Sequence, residues 1–387
     1  MRLATVPLLC LVVPIVGCAT PRELAAPSLS PSLDEACRAP FASATSARRD
    51  DGRSPPVTRN VVLIAIDGTR WQEIFLGVDP QRGRDAGVPI RSATELLPNL
   101  HRMIGRGVAL GSPSYEPAIA ASGPEFVSLP GYKELLSGRP ATHCTSNRCP
   151  PMDVPTLLDV ARQSLGGERS SVAAIASWER LDRATAMDND AIVVSVGRRN
   201  GRSRAELRQS ACMSAIVDEA ARAGSAPGNG DYRPDRYTTA LALAYLRERQ
   251  PRLLFVGLGD TDEYGHAQSY RGYVGALQAL DRFLGALTEE LAALGRYGEE
   301  TTVVLTTDHG WSNEFEDHGG YAPESARIWL VAAGGAVPKR GAIGAARLYH
   351  LADVAPTVAS WLDLRALGAG GAPIPELLTP PRLARRP

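Results

Sequence analysis

Short apolar runs alternate with amphipathic stretches along most of the chain. Six runs predict strands, at residues 61–66, 172–175, 191–196, 253–258, 302–306 and 328–332. Runs with so few polar residues are typical of strands that are covered on both faces of a sheet. Because helical stretches separate them, the pattern predicts an α/β fold: a mostly parallel sheet with helices on both faces.

The stretches between these runs have the spacing of helices. The clearest carries leucines three or four positions apart along one face, from Leu277 to Leu294. Other helices are predicted at residues 93–104, 134–137, 155–164, 204–223, 234–249 and 353–362. A polar, glycine-rich segment at about 184–231 predicts an insertion over one edge of the sheet.

The N-terminal region has a targeting pattern. Met1 and Arg2 precede an apolar run over residues 3–16 that is too short for a stable membrane span and is followed by Gly17 and Cys18. This is similar to a bacterial lipoprotein signal, which is cleaved before a cysteine that then carries lipid. An ordinary secretory signal cleaved near Ala19 is the alternative. Both predict export, and alanine after the cysteine favours the outer membrane, with the protein facing the periplasm.

These patterns divide the chain into three parts. We expect a signal peptide over residues 1–17 and one large folded domain over residues 58–387. Between them, residues 18–57 are rich in Ala, Pro, Ser and Arg without hydrophobic periodicity, which predicts a disordered tether. The membrane is therefore expected as a partner only through the N-terminal lipid.

Charge and cysteine content narrow the function and the compartment. The 42 Lys+Arg residues balance the 42 Asp+Glu residues, so a nucleic-acid scaffold is not an expected partner. Apart from Cys10 and Cys18 in the signal region, four cysteines remain, and an even number suits two disulfides in an oxidising compartment. Cys144 and Cys149 would close a short loop, which leaves Cys37 to pair with Cys212. A metal site built of cysteines is the competing interpretation, but their spacing fits no zinc-finger pattern.

Three of the predicted strands end in acidic residues. Asp67 follows the first strand, Asp260 and Asp262 follow the strand at 253–258, and Asp308 follows the strand at 302–306. The carboxyl ends of parallel strands form one ligand-binding edge, where clustered carboxylates repel one another unless a cation holds them. A single aspartate in such a place is usually a helix cap. Three acidic strand ends favour a metal centre instead.

Histidines extend this acidic set. His266 lies four residues after Asp262, His309 is next to Asp308, and His318 follows soon after, with His350 as its rival. Six or so ligands are too many for one tetrahedral ion and suit a pair. Mixed sites of Asp and His suit Zn²⁺, and Mn²⁺ is the alternative because carboxylate oxygen dominates.

At this point the chain resembles the alkaline phosphatase superfamily, and within it the type I phosphodiesterase/nucleotide pyrophosphatase-like family. The resemblance rests on VVLIAIDGTRW, EFVSLPGYKELLSG, DTDEYGH, TTDHG and DHGG, in this order from residue 60 to about 364. It implies an alkaline phosphatase-like catalytic domain with two divalent ions. By this resemblance one ion is held by Asp67, Asp308, His309 and the nucleophile, and the other by Asp262, His266 and His318.

The resemblance also places the catalytic and substrate-binding residues. Ser128 stands where the family has its Ser or Thr nucleophile, and Asn147 stands where the family has an asparagine that contacts phosphate. A hydroxyl at a helix N-terminus lies in a positive potential, which favours this role, although a plain N-cap serine would look the same. Ser114 and Ser122 are rivals without such a context.

The expected function is metal-dependent hydrolysis of a small phosphoric ester, either a monoester or a diester. A sulfatase or phosphonate hydrolase of the same superfamily is the alternative, but the sulfatase motif has arginine where this chain has Tyr132. A phosphotransferase or mutase would share the metal ligands, although export argues against it. A lipid-anchored binding protein without turnover is the remaining alternative.

Overall fold

The computed structural model describes residues 33, 36, 37, 57–115, 119–199, 202–365, 367, 368 and 370–378. The predicted signal peptide and most of the predicted tether lie outside the described residues. Within the part that is described, no helix combines the length and the apolar composition that crossing a bilayer requires.

The strands of the described chain form two sheets. They are β1 (Asn60–Ile66), β2 (Gly107–Leu110), β3 (Ile119–Ala120), β4 (Val172–Ala176), β5 (Val193–Val196), β6 (Leu253–Leu258), β7 (Thr301–Thr306), β8 (Leu330–Gly334), β9 (Gly341–Ala342) and β10 (Tyr349–His350). The larger sheet has the order β5-β4-β6-β1-β7-β8-β2-β9, and β10 pairs with β3 separately. Strands β5 to β7 in this order are parallel, whereas β8 runs antiparallel to both neighbours. The predicted mostly parallel sheet is confirmed.

Helices connect these strands. They are α1 (Trp71–Phe75), α2 (Pro80–Ala86), α3 (Ala93–Leu96), α4 (Pro98–Gly105), α5 (Ser128–Ser137), α6 (Leu157–Leu165), α7 (Asp182–Thr185), α8 (Arg204–Leu207), α9 (Ala211–Arg222), α10 (Asp235–Arg249), α11 (Asp260–His266), α12 (Tyr270–Ala293), α13 (Arg296–Glu299) and α14 (Val354–Trp361). Short 3₁₀ turns lie at Arg169–Ser171, Glu179–Leu181, Pro323–Ala326, Leu351–Asp353 and Pro375–Leu377.

The central strand β1 explains why the apolar runs are continuous. Its side chains alternate between two cores on opposite faces of the sheet. Val62 and Ile64 pack in the core that contains α4, α9, α10 and α12. Val61 and Leu63 pack in the core that contains α5, α6 and α14. Both faces of the strand are therefore buried, as the sequence pattern predicts.

Two predicted helices are interrupted by local chemistry. The helix expected at 93–104 breaks between α3 and α4, where Pro98 is the first residue of the second helix. Proline lacks the amide that would continue the first helix. The helix expected at 204–223 breaks before α9, where Ser210 Oγ accepts a hydrogen bond from the amide of Met213 at 3.1 Å and caps a new start.

The segment predicted as an insertion extends the sheet at its edge. Residues 184–231 supply the outermost strand, β5, which pairs in parallel with β4. They also supply α9, whose Met213 and Ile216 are buried in the same core as the helices beside it. In the structure, the part of this segment that is described is continuous with the main domain.

Two residues of the predicted tether pack against the domain. Leu33 is only 2% exposed and belongs to the apolar core. Cys37 forms a disulfide with Cys212, and Cys144 forms one with Cys149, so both expected pairings are confirmed. At these two positions the structure therefore differs from a disordered tether, because the disulfide and the buried leucine hold the chain on the fold.

The two disulfides are expected to differ in their contribution to stability. The Cys37–Cys212 bridge joins residues 175 positions apart, and the Cys144–Cys149 bridge joins residues 5 positions apart. A cross-link stabilises by restricting the unfolded chain, more so for a longer loop. Replacing Cys37 and Cys212 with serine should lower the free energy of unfolding by about 5 kcal/mol, against about 2 kcal/mol for the short bridge. Urea denaturation of both double variants measures this, and equal losses would contradict it.

Candidate metal centre

The acidic and histidine residues meet at one edge of the large sheet. Strand β1 lies between β6 and β7 in the sheet. Asp67 follows β1, α11 begins directly after the end of β6, and Asp308 follows β7. Since these three strands are parallel, their carboxyl ends bring the three acidic segments side by side.

The first ligand group contains Asp67, Asp308 and His309. Each residue offers a ligand atom within 4.8 Å of those of the other two, and all three are buried. Nε2 of His309 lies 3.4 Å from Oδ1 of Asp67 and 3.4 Å from Oδ2 of Asp308. Two carboxylates and one imidazole converge on one point, which is a ligand set that suits a divalent cation.

The second group contains Asp262, His266 and His318. Asp262 and His266 lie on α11, four residues apart and on the same face. Nε2 of His266 lies 3.1 Å from Oδ2 of Asp262 and 3.3 Å from Nε2 of His318. Nε2 of His318 lies 3.8 Å from Oδ1 of Asp262. The structure therefore brings all six predicted Asp and His ligands into two neighbouring groups.

His309 links the two groups. Its ring stacks on the ring of His318, with centroids 4.0 Å apart, and Asp262, His309 and His318 also have ligand atoms within 4.8 Å of one another. The Nδ1 atoms of His309 and His318 each lie 2.9 Å from a backbone carbonyl, of Gly310 and Phe126. A carbonyl only accepts, so both Nδ1 atoms carry a hydrogen, and both Nε2 atoms face the centre, where a metal ion would bind them.

The buried carboxylates of the two ligand groups carry negative charge that nearby positive charge would stabilise. Burial and the charge of Asp262 raise the pKa of Asp67, and burial and Asp67 raise the pKa of Asp308. Oδ1 of Asp262 and Oδ2 of Asp308 are buried without a hydrogen-bond partner among the described residues. Buried carboxylate oxygens without partners are costly. Divalent cations would fit these residues because they would satisfy both oxygens and offset the repulsion.

Ser128 stands beside the first ligand group, at the start of α5. Its Oγ lies 3.3 Å from Oδ1 of Asp67 and 3.5 Å from Nε2 of His309. Asn147 is also brought here, because its Oδ1 accepts the backbone N–H of Leu129 at 2.8 Å. The amide of Leu129 is thereby occupied, and Asn147 is tied to the first turn of the helix that begins with Ser128.

Gly131 allows α5 to approach this edge. A Cβ atom at this position would lie 2.6 Å from the carbonyl oxygen of Asp308, which is closer than real side chains come. The glycine in SLPGY therefore has a steric function. It lets the helix that begins with Ser128 pack directly on the segment that carries Asp308 and His309.

The sequence model of the Metalloenzyme superfamily matches residues 233–366, a part that contains five of the six ligands. A 2,3-bisphosphoglycerate-independent phosphoglycerate mutase from Pyrobaculum neutrophilum is 29% identical over 147 residues, which are 36% of this chain and 33% of the mutase. A phosphopentomutase from Alkaliphilus metalliredigens is 30% identical over 129 residues, 33% of this chain and 30% of that enzyme. The match spans about a third of the length of these curated relatives.

Solved structures match over far more of the chain. A phosphonate monoester hydrolase of Agrobacterium radiobacter has a TM-score of 0.54 at 16% identity, covering 82% of this chain and 77% of its own. A mutant of the alkaline phosphatase PafA has a TM-score of 0.52 at 14% identity, and the match covers 84% of this chain and 100% of the PafA chain. A 2-O GAG sulfatase has a TM-score of 0.53 at 14% identity, covering 84% and 74%.

The chain has the fold of the alkaline phosphatase superfamily. At these identities the structural likeness concerns the fold, and the narrower resemblance to the type I phosphodiesterase/nucleotide pyrophosphatase-like family stays a prediction. In this superfamily fold, the two ligand groups and Ser128 lie at the carboxyl edge of the sheet.

Several residues that hold the centre together escaped sequence reasoning. Thr261 Oγ1 donates to the carbonyl of Asp67 at 2.6 Å, and the amide of Thr69 donates to Thr307 Oγ1 at 3.0 Å. Gly68 has φ +58°, and a Cβ atom there would collide with Oδ1 of Asp262. The threonines in DGT, DTD and TTDHG are the local signal, because each follows or precedes a strand-end aspartate.

Trp311 and Glu263 also border the centre. The ring of Trp311 packs edge-on against His266 and His318, with centroids 5.2 and 5.0 Å away, and its buried Nε1 has no partner among the described residues. Burial and the charges of Asp262 and Asp67 raise the pKa of Glu263 to about 7. Nothing in the sequence pattern separates Glu263 from an ordinary helix residue.

The remaining histidines lie outside both ligand groups. His101 is on α4, where its Nε2 lies 3.0 Å from the carbonyl of Ile74. His143 is exposed on the loop that precedes the Cys144–Cys149 bridge. His350, the rival for the third position of the second group, is on β10, and its backbone amide donates to Asp353. The structure therefore places His318 next to Asp262, and His350 in the β3–β10 sheet.

Metal binding is expected to release protons. Hydrogen bonding to Asp262 raises the pKa of His266 to about 9. Burial lowers the pKa of His309, but Asp308, Asp67 and Asp262 outweigh this and raise it to about 10. Burial and the charge of His309 lower the pKa of His318 to about 4, so at pH 7 only His266 and His309 carry an extra proton in the metal-free protein.

Zn²⁺ must displace both protons to reach the two Nε2 atoms. These two histidines should therefore contribute about two released protons per protein at pH 7, and zinc affinity should rise with pH up to about 9 to 10. Calorimetric titrations in two buffers of different ionisation enthalpy measure the release. Zinc affinity that does not change between pH 6 and 9 would contradict this expectation.

Proposed function

We propose that the protein is a metal-dependent phosphoric ester hydrolase with Ser128 as its nucleophile. The observation that carries this proposal is the position of the Ser128 hydroxyl. It lies at the first residue of α5, within 3.5 Å of both Asp67 and His309. A plain cap serine would occupy the N-cap position, but here the N-cap residue is Val127 and Ser128 is the first residue of the helix. The described contacts of its hydroxyl are with the first ligand group.

We assign the predicted ligands to two metal ions. Asp67, Asp308, His309 and Ser128 would hold one, and Asp262, His266 and His318 would hold the other. Zn²⁺ is the first choice and Mn²⁺ the second, because the set mixes imidazole with carboxylate. When bound, such ions lower the pKa of a coordinated hydroxyl and stabilise charge on the oxygens of a phosphoryl group.

The reaction that these residues support has two displacements. Ser128 Oγ forms a bond to phosphorus, while the bond from phosphorus to the ester oxygen breaks and the alcohol leaves with a proton. Water then cleaves the phosphoserine, which releases phosphate or the remaining monoester and restores the hydroxyl. We assign Nδ2 of Asn147 to hold a phosphoryl oxygen during both steps, because the bond from Leu129 to its Oδ1 keeps this side chain at the start of α5.

Several features favour phosphoryl over sulfuryl transfer. The sulfatase motif has arginine at the place of Tyr132, and here this tyrosine is buried, with its pKa raised by burial and by the charges of Asp67 and Asp308. The arginine of that motif is therefore absent from this chain. Both curated relatives are named for enzymes that move phosphate groups. We therefore place phosphoric esters ahead of sulfate esters.

A comparison of four substrates tests the proposal. The purified protein, supplied with Zn²⁺ or Mn²⁺, is given an aryl phosphate, a bis-aryl phosphate, an aryl phosphonate and an aryl sulfate. We expect at least one phosphate ester to be hydrolysed about 10-fold faster than the sulfate, and chelator-treated protein to be inactive. Faster hydrolysis of the sulfate would favour a sulfatase, and no turnover at all would favour a binding protein.

We further propose that the protein acts outside the cytoplasm, as an outer-membrane lipoprotein facing the periplasm. The signal-like N-terminus supports this, and so do the two disulfides, which persist in oxidising compartments. Metabolic labelling with a radioactive fatty acid tests the lipid anchor. A Cys18→Ala variant that is still labelled would overturn the proposed site.

A further inference from the structure

The helix that carries two of the metal ligands has an unusual start. Helix α11 begins at Asp260, only two residues before Asp262, and the residue at its N-cap is Gly259, which offers no side chain to cap the free amides. The amides at a helix start need partners. These partners come from a different helix, 25 residues earlier in the chain.

Asp235, the first residue of α10, supplies both bonds. Its Oδ1 accepts the backbone N–H of Gly259 at 2.9 Å, and its Oδ2 accepts the backbone N–H of Asp260 at 2.9 Å. In return, Oδ1 of Asp260 accepts the backbone N–H of Asp235 at 3.2 Å. We name this exchange between Asp235 and Asp260 the reciprocal cap. Burial raises the pKa of both carboxyl groups, and the charge of Asp235 raises that of Asp260 further.

Neighbouring hydroxyl groups fix the orientation of both carboxylates. Ser177 Oγ donates to Oδ1 of Asp235 at 2.5 Å, and the hydroxyl of the buried Tyr232 donates to Oδ1 of Asp260 at 2.8 Å. On its other side, α11 is joined to the first ligand group by the bond from Thr261 Oγ1 to the carbonyl of Asp67. The start of α11 is therefore held from two sides.

We propose that Asp235 is a positioning residue for the metal centre, which acts through the reciprocal cap to fix Asp262 and His266. A metal ion requires its ligands within narrow limits of distance, and partners that orient the ligands are worth about 10-fold to 100-fold in metal affinity. The proposal rests on the metal centre of the proposed function. The proposal is tested by measuring zinc affinity, which can be done without enzymatic activity.

An Asp235→Asn variant tests the proposal. The amide has the same size, but one of its two acceptor oxygens becomes an NH₂ group that cannot accept an N–H from the start of α11. We expect the Zn²⁺ ion at the second ligand group to bind about 10-fold to 100-fold more weakly than in the wild type. The ion at the first ligand group should bind with unchanged affinity. Competition with a chromophoric chelator measures both affinities. Hydrogen exchange at the amides of Gly259 and Asp260 should become faster.

Asp281→Asn is the matched control. The carboxylate of Asp281 also caps a helix from a distance, because it accepts the amides of Asn99 and Leu100 at 2.9 Å each. It does not contact either ligand group, so its loss should reduce stability and leave zinc affinity unchanged. Tyr232→Phe, which removes one bond to Asp260, provides a milder variant should Asp235→Asn not fold, and it should speed exchange at Asp260.

Each result decides the proposal. If Asp235→Asn binds two zinc ions as tightly as the wild type does, the positioning role of Asp235 is wrong. The proposed function would not be affected by this result. An equal loss of affinity in Asp281→Asn would also overturn the positioning role, since the effect would then reflect general destabilisation. A wild-type protein that binds no zinc would overturn the proposed function and the positioning role together.

Discussion

Replacing Ser128 with alanine should lower kcat for the preferred phosphate ester by about 10³-fold or more. The substitution removes the only hydroxyl that the described structure places within hydrogen-bonding distance of both Asp67 and His309. It leaves the three side chains of the first ligand group in place. The variant should therefore still bind two ions, as measured by metal analysis of the dialysed protein, and it should not accumulate phosphoserine when it is mixed with substrate.

Ser114→Ala and Ser122→Ala are the matched controls for this prediction. Ser114 lies outside both ligand groups, and Ser122 Oγ donates to the carboxylate of Glu134 at 2.6 Å. Both variants should keep kcat within about threefold of the wild type. If Ser128→Ala keeps its activity, the nucleophile has been assigned wrongly. If Ser122→Ala loses its activity while Ser128→Ala keeps it, the rival serine is the nucleophile.

The sequence predicted the site to the extent that the site is built from strand ends. Asp67, Asp262 and Asp308 follow apolar runs, which is a local signal, and the parallel sheet brings such ends together by geometry alone. Asp262 and His266 follow the same logic, because a spacing of four places both side chains on one face of a helix. His318 required the family resemblance, since it follows no strand.

The contacts that refine the site depend on tertiary packing. The stacking of His309 on His318, which lets one imidazole border both ligand groups, depends on ring orientations that no spacing encodes. The reciprocal cap joins Asp235 to Asp260 across 25 residues, with no pattern that links the two. The packing of Leu33 in the core was also missed, because one leucine in a polar segment has no periodicity to reveal it.

Loss of His318 should remove about one of the two bound ions. In the structure its Nε2 faces Asp262 and His266, and its Nδ1 is engaged with the carbonyl of Phe126. His318→Ala should bind one zinc ion per protein and lower kcat by about 100-fold. His350→Ala is the control, because His350 lies on β10, and it should keep two ions. A His350→Ala variant that loses one ion would show that the third ligand has been assigned wrongly.

His309→Ala should reduce the metal content of the protein more than His318→Ala does. Nε2 of His309 lies 3.4 Å from carboxylate oxygens of Asp67 and Asp308, and its ring stacks on His318. Removing it leaves the first group with two buried carboxylates and no imidazole, and it takes away the ring that holds His318 in place. Both affinities should therefore fall, so that dialysed protein retains less than one ion. If His309→Ala and His318→Ala each lose one ion to the same extent, the two groups act independently and His309 does not link them.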